Sequence, residues 1–340
     1  MDFKKLLRRN ETALIIAIVL LSVIIGAKSP EFYSLANLFD IFRSSFVQLL
    51  FALGVLVVII SGGIDVSFPV VGIFSGYSAV VLMTHFDWNP GNVLLPIALA
   101  IVIGVILGAL NSIAIASFGI PTLIATLGTS GIFRGIMLTF IGSSFISDIP
   151  AALDKFATAD LLKIQPAEGT LARLHVLIIP VVIITILVSL MLNRTMFGRS
   201  VYALGGGVEA TRRLGISIKR TQAKVYMFVG GISGLAGILY VSLQRKANPY
   251  DLYGSELDII AAVVLGGASI MGGYGTVFGT VLGVLFINMI KNNLVLLGVS
   301  SSWQRAAVGV LLVIGITIQA ISENRKSKKQ RVATDNEGDA

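Results

Sequence analysis

Ten long stretches of the sequence carry almost no charged side chains, and they constrain the fold more than any other feature. They lie at approximately 12–27, 45–61, 66–84, 92–118, 120–141, 174–192, 222–243, 257–271, 275–297 and 304–322. A helix of about 20 apolar residues crosses the roughly 30 Å of bilayer hydrocarbon, where a charge is normally excluded. Only 13% of the residues are charged, against about 25% in soluble domains. The sequence therefore predicts an all-α, polytopic integral membrane protein with about ten transmembrane helices, and it excludes an ordinary water-soluble enzyme.

Lysine and arginine collect in three segments outside these stretches. The segments are Lys4, Lys5, Arg8 and Arg9; Arg194, Arg199, Arg212, Arg213, Lys219, Arg220 and Lys224; and Arg325, Lys326, Lys328, Lys329 and Arg331. Positively charged loops stay on the cytoplasmic side of a membrane. Six predicted spans separate the first segment from the second and four separate the second from the third, so all three lie on one face. This pattern predicts cytoplasmic termini, and it explains the net charge of +8 by membrane orientation and lipid contact rather than by nucleic acid.

The same pattern divides the chain into two parts. Residues 1–322 are expected to form a single transmembrane domain, with a long cytoplasmic loop at 193–224. Residues 323–340 are first basic and then acidic, which is typical of a solvated, disordered tail.

Glycine makes up 36 of the 340 residues, and two glycine-rich segments interrupt the apolar stretches. The segment 61–67 contains Asp65, whereas 265–275 contains no charge. Broken helices in transporters often mark the region that binds the solute, but Asp65 is also suited to capping the following helix. Both roles are compatible. The candidate translocation residues, which include nearby uncharged polar groups, are Gly62, Gly63, Asp65, Ser67, Asn111, Thr126, Gly266, Gly267 and Ser269.

Several kinds of chemistry lack the necessary residues. The sequence has no cysteine and only two histidines, His85 and His175, so thiolate sites and histidine clusters are excluded. It has no G-x-x-x-x-G-K-[ST] phosphate loop, so the chain cannot hold ATP phosphates by that route. Arg134 lies within a predicted span; it is expected to snorkel, to lie near the outer helix end, or to pair with a carboxylate.

The cytoplasmic loop contains a predicted short helix at 208–214. Glu209 is in its first turn, Arg212 and Arg213 are near its end, and Gly215 terminates it, an arrangement that the helix dipole favours. Such a helix docks into a partner or is simply a solvated surface helix.

Five motifs together resemble the permease subunits of ATP-binding-cassette importers for simple sugars, the ribose, rhamnose and autoinducer-2 group. In chain order they are Gly62-Gly63-Ile64-Asp65-Val66-Ser67; Pro121-Thr122-Leu123-Ile124-Ala125-Thr126-Leu127-Gly128-Thr129; Gly198-Arg199 with Tyr202-Ala203-Leu204-Gly205-Gly206; Glu209-Ala210 followed by Gly215; and Val264-Leu265-Gly266-Gly267-Ala268-Ser269 with Gly272-Gly273 and Gly275-Thr276. The first motif departs from the family in the following Phe68-Pro69. The fourth is similar to an E-A-A…G loop with Thr211 in place of the second alanine. The motifs follow the order of the family over roughly residues 40–320.

The resemblance implies a non-enzymatic transport subunit of the bacterial inner membrane. Two permeases, identical or different, would form the pore, and a periplasmic or lipid-anchored binding protein would deliver the sugar. A cytosolic ATPase would hold ATP and magnesium, so this chain would bind no cofactor, and would contact Glu209, Ala210, Arg212, Arg213 and Gly215. The alternative is an ion-coupled secondary transporter that acts without an ATPase. The particular sugar stays open.

Overall fold

The computed structural model describes residues 10–88, 91–165 and 170–300, together with Trp303, Ala306, Gly309, Val310, Val313 and Thr317. In chain order the regular elements are α1 (Asn10–Lys28), α2 (Leu35–Ile60), α3 (Phe68–His85), α4 (Leu94–Ser112), α5 (Thr122–Ile136), α6 (Ala151–Ala157), β1 (Asp160–Ile164), β2 (Ala172–His175), α7 (Ile178–Arg194), α8 (Met196–Gly206), α9 (Val208–Arg213), α10 (Ile218–Gln244), α11 (Glu256–Leu265) and α12 (Val277–Asn293). Short π-helical turns, Ile113–Ser117 and Met137–Ile141, extend α4 and α5.

Six helices in the described part of the chain have the length and hydropathy needed to cross a membrane: α1, α2, α3, α4 and α5 with their π-helical extensions, and α10. The pair α7 and α8 would add a seventh span, although the two helices are bent by 69° relative to each other. The ten-residue α11 is only about 15 Å long. The polytopic helical architecture is confirmed, whereas the predicted count of ten is not reached among the described residues.

Parts of the predicted topology lie outside the described residues. These parts are the basic N-terminal segment, most of the tenth stretch at 304–322, and the tail 323–340.

Two helices begin earlier than the charge-free stretches predicted. Helix α2 starts at Leu35 and includes Asp40 and Arg43, and α10 starts at Ile218 and includes Lys219 and Arg220. Predictions based on uncharged residues make such helices too short. Charged side chains are tolerated near the ends of membrane helices, because they can reach the membrane–water interface.

The all-α prediction is wrong for the segment between α6 and α7. Strands β1 and β2 form an antiparallel hairpin there, with Leu162 opposite Leu174. The stretch expected to start at 174 therefore becomes helical only at Ile178. The strands have five and four residues, too short for a periodic pattern to be separated from the adjacent apolar run.

Glycines bring the central helices into direct backbone contact. A Cβ atom on Gly104 would overlap the carbonyl oxygen of Gly230, and one on Gly234 would overlap that of Ala100. Helices α4 and α10 therefore pack through faces made of small residues. This packing is expected where lipid removes most of the hydrophobic drive between helices.

Both predicted helix breaks are present. The first break, residues 61–67, separates α2 from α3, and the second break, residues 266–276, separates α11 from α12. An ion pair between Lys291 and Asp258 joins the two helices that flank the second break, and Asn288 Nδ2 donates to Gln48 Oε1 at 2.8 Å, which holds α12 against α2.

Candidate coupling surface and translocation path

The predicted cytoplasmic helix is present as α9 and lies on the surface. Its buried residue is Thr211, whose hydroxyl donates to the carbonyl of Gly207 at 2.7 Å. Gly215 follows with φ 73°, a left-handed conformation that a side chain disfavours. The predicted helix and its glycine terminator are both confirmed.

The outward face of α9 combines charge with apolar surface. Glu209 and Arg212 form an ion pair of 2.9 Å whose side chains are 73% and 65% exposed, so the pair adds little stability. Val208 is 48% exposed and Leu214 is 71% exposed. Ala210 and Arg213 are also exposed. An apolar surface bordered by charges is suited to insertion into a complementary groove.

The first break contains a buried polar chain centred on Ser67. Asp65 Oδ1 accepts from both the backbone N–H and the hydroxyl of Ser67, each at 2.7 Å. Asn111 Nδ2 in α4 donates to the Ser67 hydroxyl at 2.8 Å. All three residues are at most 3% exposed. Asp65 therefore fixes the turn just before α3 by accepting from the N-cap residue Ser67, and the bonds described for it do not reach the first turn of α3.

Two threonines from α5 hold the extended backbone beside this chain. Thr122 Oγ1 accepts from the N–H of Ile64 at 3.0 Å, and Thr126 Oγ1 accepts from the N–H of Val66 at 3.3 Å. These bonds satisfy backbone groups that a helix would otherwise pair. The first break is therefore fixed by side chains from α4 and α5.

Tyr226 of α10 belongs to the same region, and sequence reasoning missed it. Its hydroxyl lies so close to the first break that a Cβ on Gly63 would be 2.9 Å away. Nothing local in the sequence distinguishes a tyrosine that faces a distant polar segment from one that faces lipid. Asn111 Oδ1, also buried, has no hydrogen-bond partner among the described residues.

The predicted translocation residues fall into two groups. Gly62, Gly63, Asp65, Ser67, Asn111 and Thr126 lie at the first break or contact it. Gly266, Gly267 and Ser269 instead form the turn after α11. Within the part of the chain that the structure describes, the Ser269 side chain makes no hydrogen bond, and its backbone N–H donates to the carbonyl of Tyr274 at 3.0 Å. The two groups are connected through the backbone, because the N–H of Gly273 donates to the carbonyl of Ile60 at 2.8 Å.

Arg134 has a local contact partner. The Arg134 guanidinium, exposed in the last turn of α5, stacks 4.1 Å from the centre of the Tyr253 ring, a cation–π contact that sequence reasoning had not considered.

His175 is a buried structural residue. Its Nδ1 accepts from the N–H of Leu177 at 3.0 Å, and its Nε2 lies 2.8 Å from the carbonyl of Ala157. These two partners require a neutral ring with the proton on Nε2. Burial lowers the pKa of His175 below its ordinary value of 6.5.

Comparison with known proteins places the chain in a transport family. Residues 37–316 match the family described as branched-chain amino acid transport system / permease component. The autoinducer 2 import system permease protein LsrC of Salmonella typhi is 35% identical over 306 residues, which cover 90% of this chain and 84% of the relative. The LsrC proteins of Enterobacter sp. (strain 638) and Escherichia coli (strain K12 / DH10B) are 31% and 32% identical, covering 96% and 91% of this chain and 92% and 86% of their own lengths. No solved structure matches.

These matches cover all five motifs and confirm the resemblance to importer permeases of the ribose and autoinducer 2 type. The helices described above agree with a protein that crosses the bacterial inner membrane several times. The chain therefore belongs to this family of permease components and is a membrane subunit of an ATP-binding-cassette importer, a transport component rather than an enzyme.

Proposed function

We propose that this permease moves a simple sugar or a sugar-like solute of the ribose, rhamnose and autoinducer-2 class into the cell. The observation that carries the proposal is the similarity to autoinducer 2 import permeases over 90% or more of the chain. The solute would cross by alternating access, a population shift between outward-open and inward-open states that a separate ATPase drives.

The family description names branched-chain amino acids, which makes an amino-acid importer the second candidate. The first break argues for a neutral solute. Its buried polar residues are one carboxylate, hydroxyls and an amide, and no lysine, arginine or histidine lies within 61–67 or among the side chains described as bonding to it. A cationic side chain would favour the carboxylate of a zwitterionic amino acid, whereas sugar hydroxyls bond well to amides and hydroxyls.

The coupling residues in this proposal are Glu209, Ala210, Arg212, Arg213 and Gly215. Support comes from the exposure of α9 and its apolar neighbours, and from the sequence, which has no phosphate loop of its own. ATP and magnesium would be held by the cytosolic ATPase, and this chain would bind no cofactor. A second permease, identical or different, and a periplasmic or lipid-anchored sugar-binding protein would complete the importer.

The proposed translocation path comprises the group at the first break together with Gly266, Gly267 and Ser269. Support comes from the position of buried polar groups between membrane helices, where they are costly and usually functional. Asp65 would cap α3 in one state and contact the solute in another. The proposed topology has ten spans and cytoplasmic termini, with residues 1–322 as one transmembrane domain and 323–340 as a disordered tail.

The test is reconstitution in vesicles with the proposed ATPase and binding-protein partners. We expect ATP-dependent uptake of labelled ribose, rhamnose or autoinducer 2, and none of leucine. Uptake of leucine instead would support the amino-acid importer. Sugar accumulation by this chain alone under a proton gradient would support the secondary transporter.

A further inference from the structure

Three chain segments meet at one point with backbone against backbone. They are the end of α2 at Ile60 with Gly62, the end of α8 at Gly205, and the tip of the second break at Gly272 and Gly273; we call this contact the glycine junction. A Cβ on Gly205 would overlap the Ile60 carbonyl oxygen and the Gly273 amide nitrogen. A Cβ on Gly272 would lie 2.8 Å from the Gly62 Cα and 3.0 Å from the Gly205 Cα.

Two hydrogen bonds fasten the glycine junction. The N–H of Gly273 donates to the carbonyl of Ile60 at 2.8 Å, which satisfies one of the carbonyls left unpaired at the end of α2. The Tyr202 hydroxyl of α8 donates to the carbonyl of Gly275 at 2.8 Å. Helix α8 is therefore tied to the second break, and the second break is tied to α2.

Direct backbone contact makes the glycine junction stiff. Flexible side chains absorb small displacements by changing rotamer, but contacts between glycine backbones have no such freedom, and close-packed interiors transmit strain. Only Gly207 separates α8 from the coupling helix α9. A displacement of α9 therefore reaches Gly205 directly, and from there both the first and second breaks.

We infer that the glycine junction transmits movement of the coupling helix to the two helix breaks, with Gly205 and Gly272 as positioning residues. This inference rests on the proposed ATPase contact at α9. The first break carries Asp65 and Ser67 and leads into α3, so the junction connects the ATPase contact to the proposed solute path and to the far end of α3.

Two neighbouring glycines provide a matched pair of variants. Gly205→Ala adds a methyl group where backbone atoms already touch, whereas a Cβ on Gly206 would meet nothing within 4 Å. Both positions lie in the last turn of α8, so the two variants change helix propensity equally. Only Gly205→Ala should disturb the junction.

The readout is a spin label at Phe86→Cys, which follows the end of α3 opposite the first break and is 55% exposed. The native chain has no cysteine, so the label is specific and independent of the solute. The complete complex is compared before and after trapping with ATP and vanadate. We expect trapping to change the spectrum of the label in the native complex and in Gly206→Ala. In Gly205→Ala the change should be smaller by at least half, although the variant should still bind the ATPase normally.

A second, less disruptive variant tests the inference if Gly205→Ala does not fold. Tyr202→Phe removes only the hydrogen bond to Gly275, and we expect it to lower the solute moved per ATP by about fivefold, the effect of one hydrogen bond. Equal responses of the label in Gly205→Ala and Gly206→Ala, or normal coupling in Tyr202→Phe, contradict the inference. Failure of the native permease to bind the ATPase contradicts the proposed function instead.

Discussion

The first and second breaks interrupt the helices in similar ways but are stabilised differently. Side chains hold the first break: Asp65 and Ser67 within it, and Asn111, Thr122 and Thr126 from the neighbouring helices. Backbone groups hold the turn of the second break, through the bonds from Ser269 to Tyr274, from Gly272 to Ser269 and from Gly273 to Ile60. In the described part of the chain, side-chain hydroxyls bond only at its last two residues, where Tyr202 donates to the carbonyl of Gly275 and Thr276 donates to Glu11. Polar side chains recognise solutes, whereas bare backbone transmits displacement. The comparison therefore agrees with the proposed roles, in which the first break recognises the solute and the second transmits movement.

The largest expected effect comes from disconnecting both breaks from the ATPase. We predict that Glu209→Ala lowers ATP-driven uptake by at least about tenfold, because hydrogen bonds to charged groups contribute about 1.5–3 kcal/mol. Gly215→Leu should abolish uptake, since it places a branched side chain at φ 73°. Uptake in vesicles with the ATPase present is the measurement, and membrane insertion should be unchanged.

Lys219→Ala is the control for these variants, because it removes an exposed charge in the following helix α10. Normal uptake by Glu209→Ala, or an equal loss with Lys219→Ala, contradicts the assignment of α9 as the coupling helix.

A pair of serines tests the difference between the breaks directly. Ser67→Ala leaves Asn111 Nδ2 without its acceptor in a buried site, so we predict a loss of about 1–3 kcal/mol in the free energy of unfolding. Ser269 takes part only through its backbone in the bonds that the structure describes. Ser269→Ala should therefore change stability by less than about 0.5 kcal/mol.

Denaturant unfolding of the two variants in the same detergent provides the measurement. Equal destabilisation by both substitutions means that side chains hold both breaks, and the comparison is then wrong.

The smallest expected effect is on the pH dependence of stability, and it comes from His175 in the hairpin, away from both breaks. Folding keeps His175 neutral and lowers its pKa, chiefly by burial, with the Arg43 charge acting in the same direction and the Ala157 hydrogen bond and Asp160 opposing it. The unfolded chain binds the proton more readily, so stability falls as the pH drops below about 6.5 and levels off once the folded His175 is protonated.

Thermal unfolding between pH 8 and pH 5 measures this dependence. His175→Gln should flatten the curve in that window while leaving the difference between Ser67→Ala and Ser269→Ala intact. An unchanged pH dependence in His175→Gln assigns the titration to another group.

Sequence reasoning succeeded where the signal was local. Runs without charge located the membrane helices, and glycine clusters located both breaks and the end of α9 at Gly215. It failed where the partner is distant along the chain. The approach of Tyr226 to Gly63, and the bond from Gly273 to Ile60, join segments whose proximity depends on how helices pack. The hairpin was missed because its strands are too short to give a distinct period.

The bend of 69° between α7 and α8 has a mechanical consequence. If α7 stands across the bilayer, α8 lies nearly along its surface as an arm that pivots at Thr195. Its 11 residues make the arm about 16 Å long, so a rotation of about 10° moves its tip by about 3 Å. That distance is comparable to the length of a hydrogen bond. A small tilt imposed by the proposed ATPase would therefore move Gly205 by more than its close contacts with Ile60 and Gly273 can absorb.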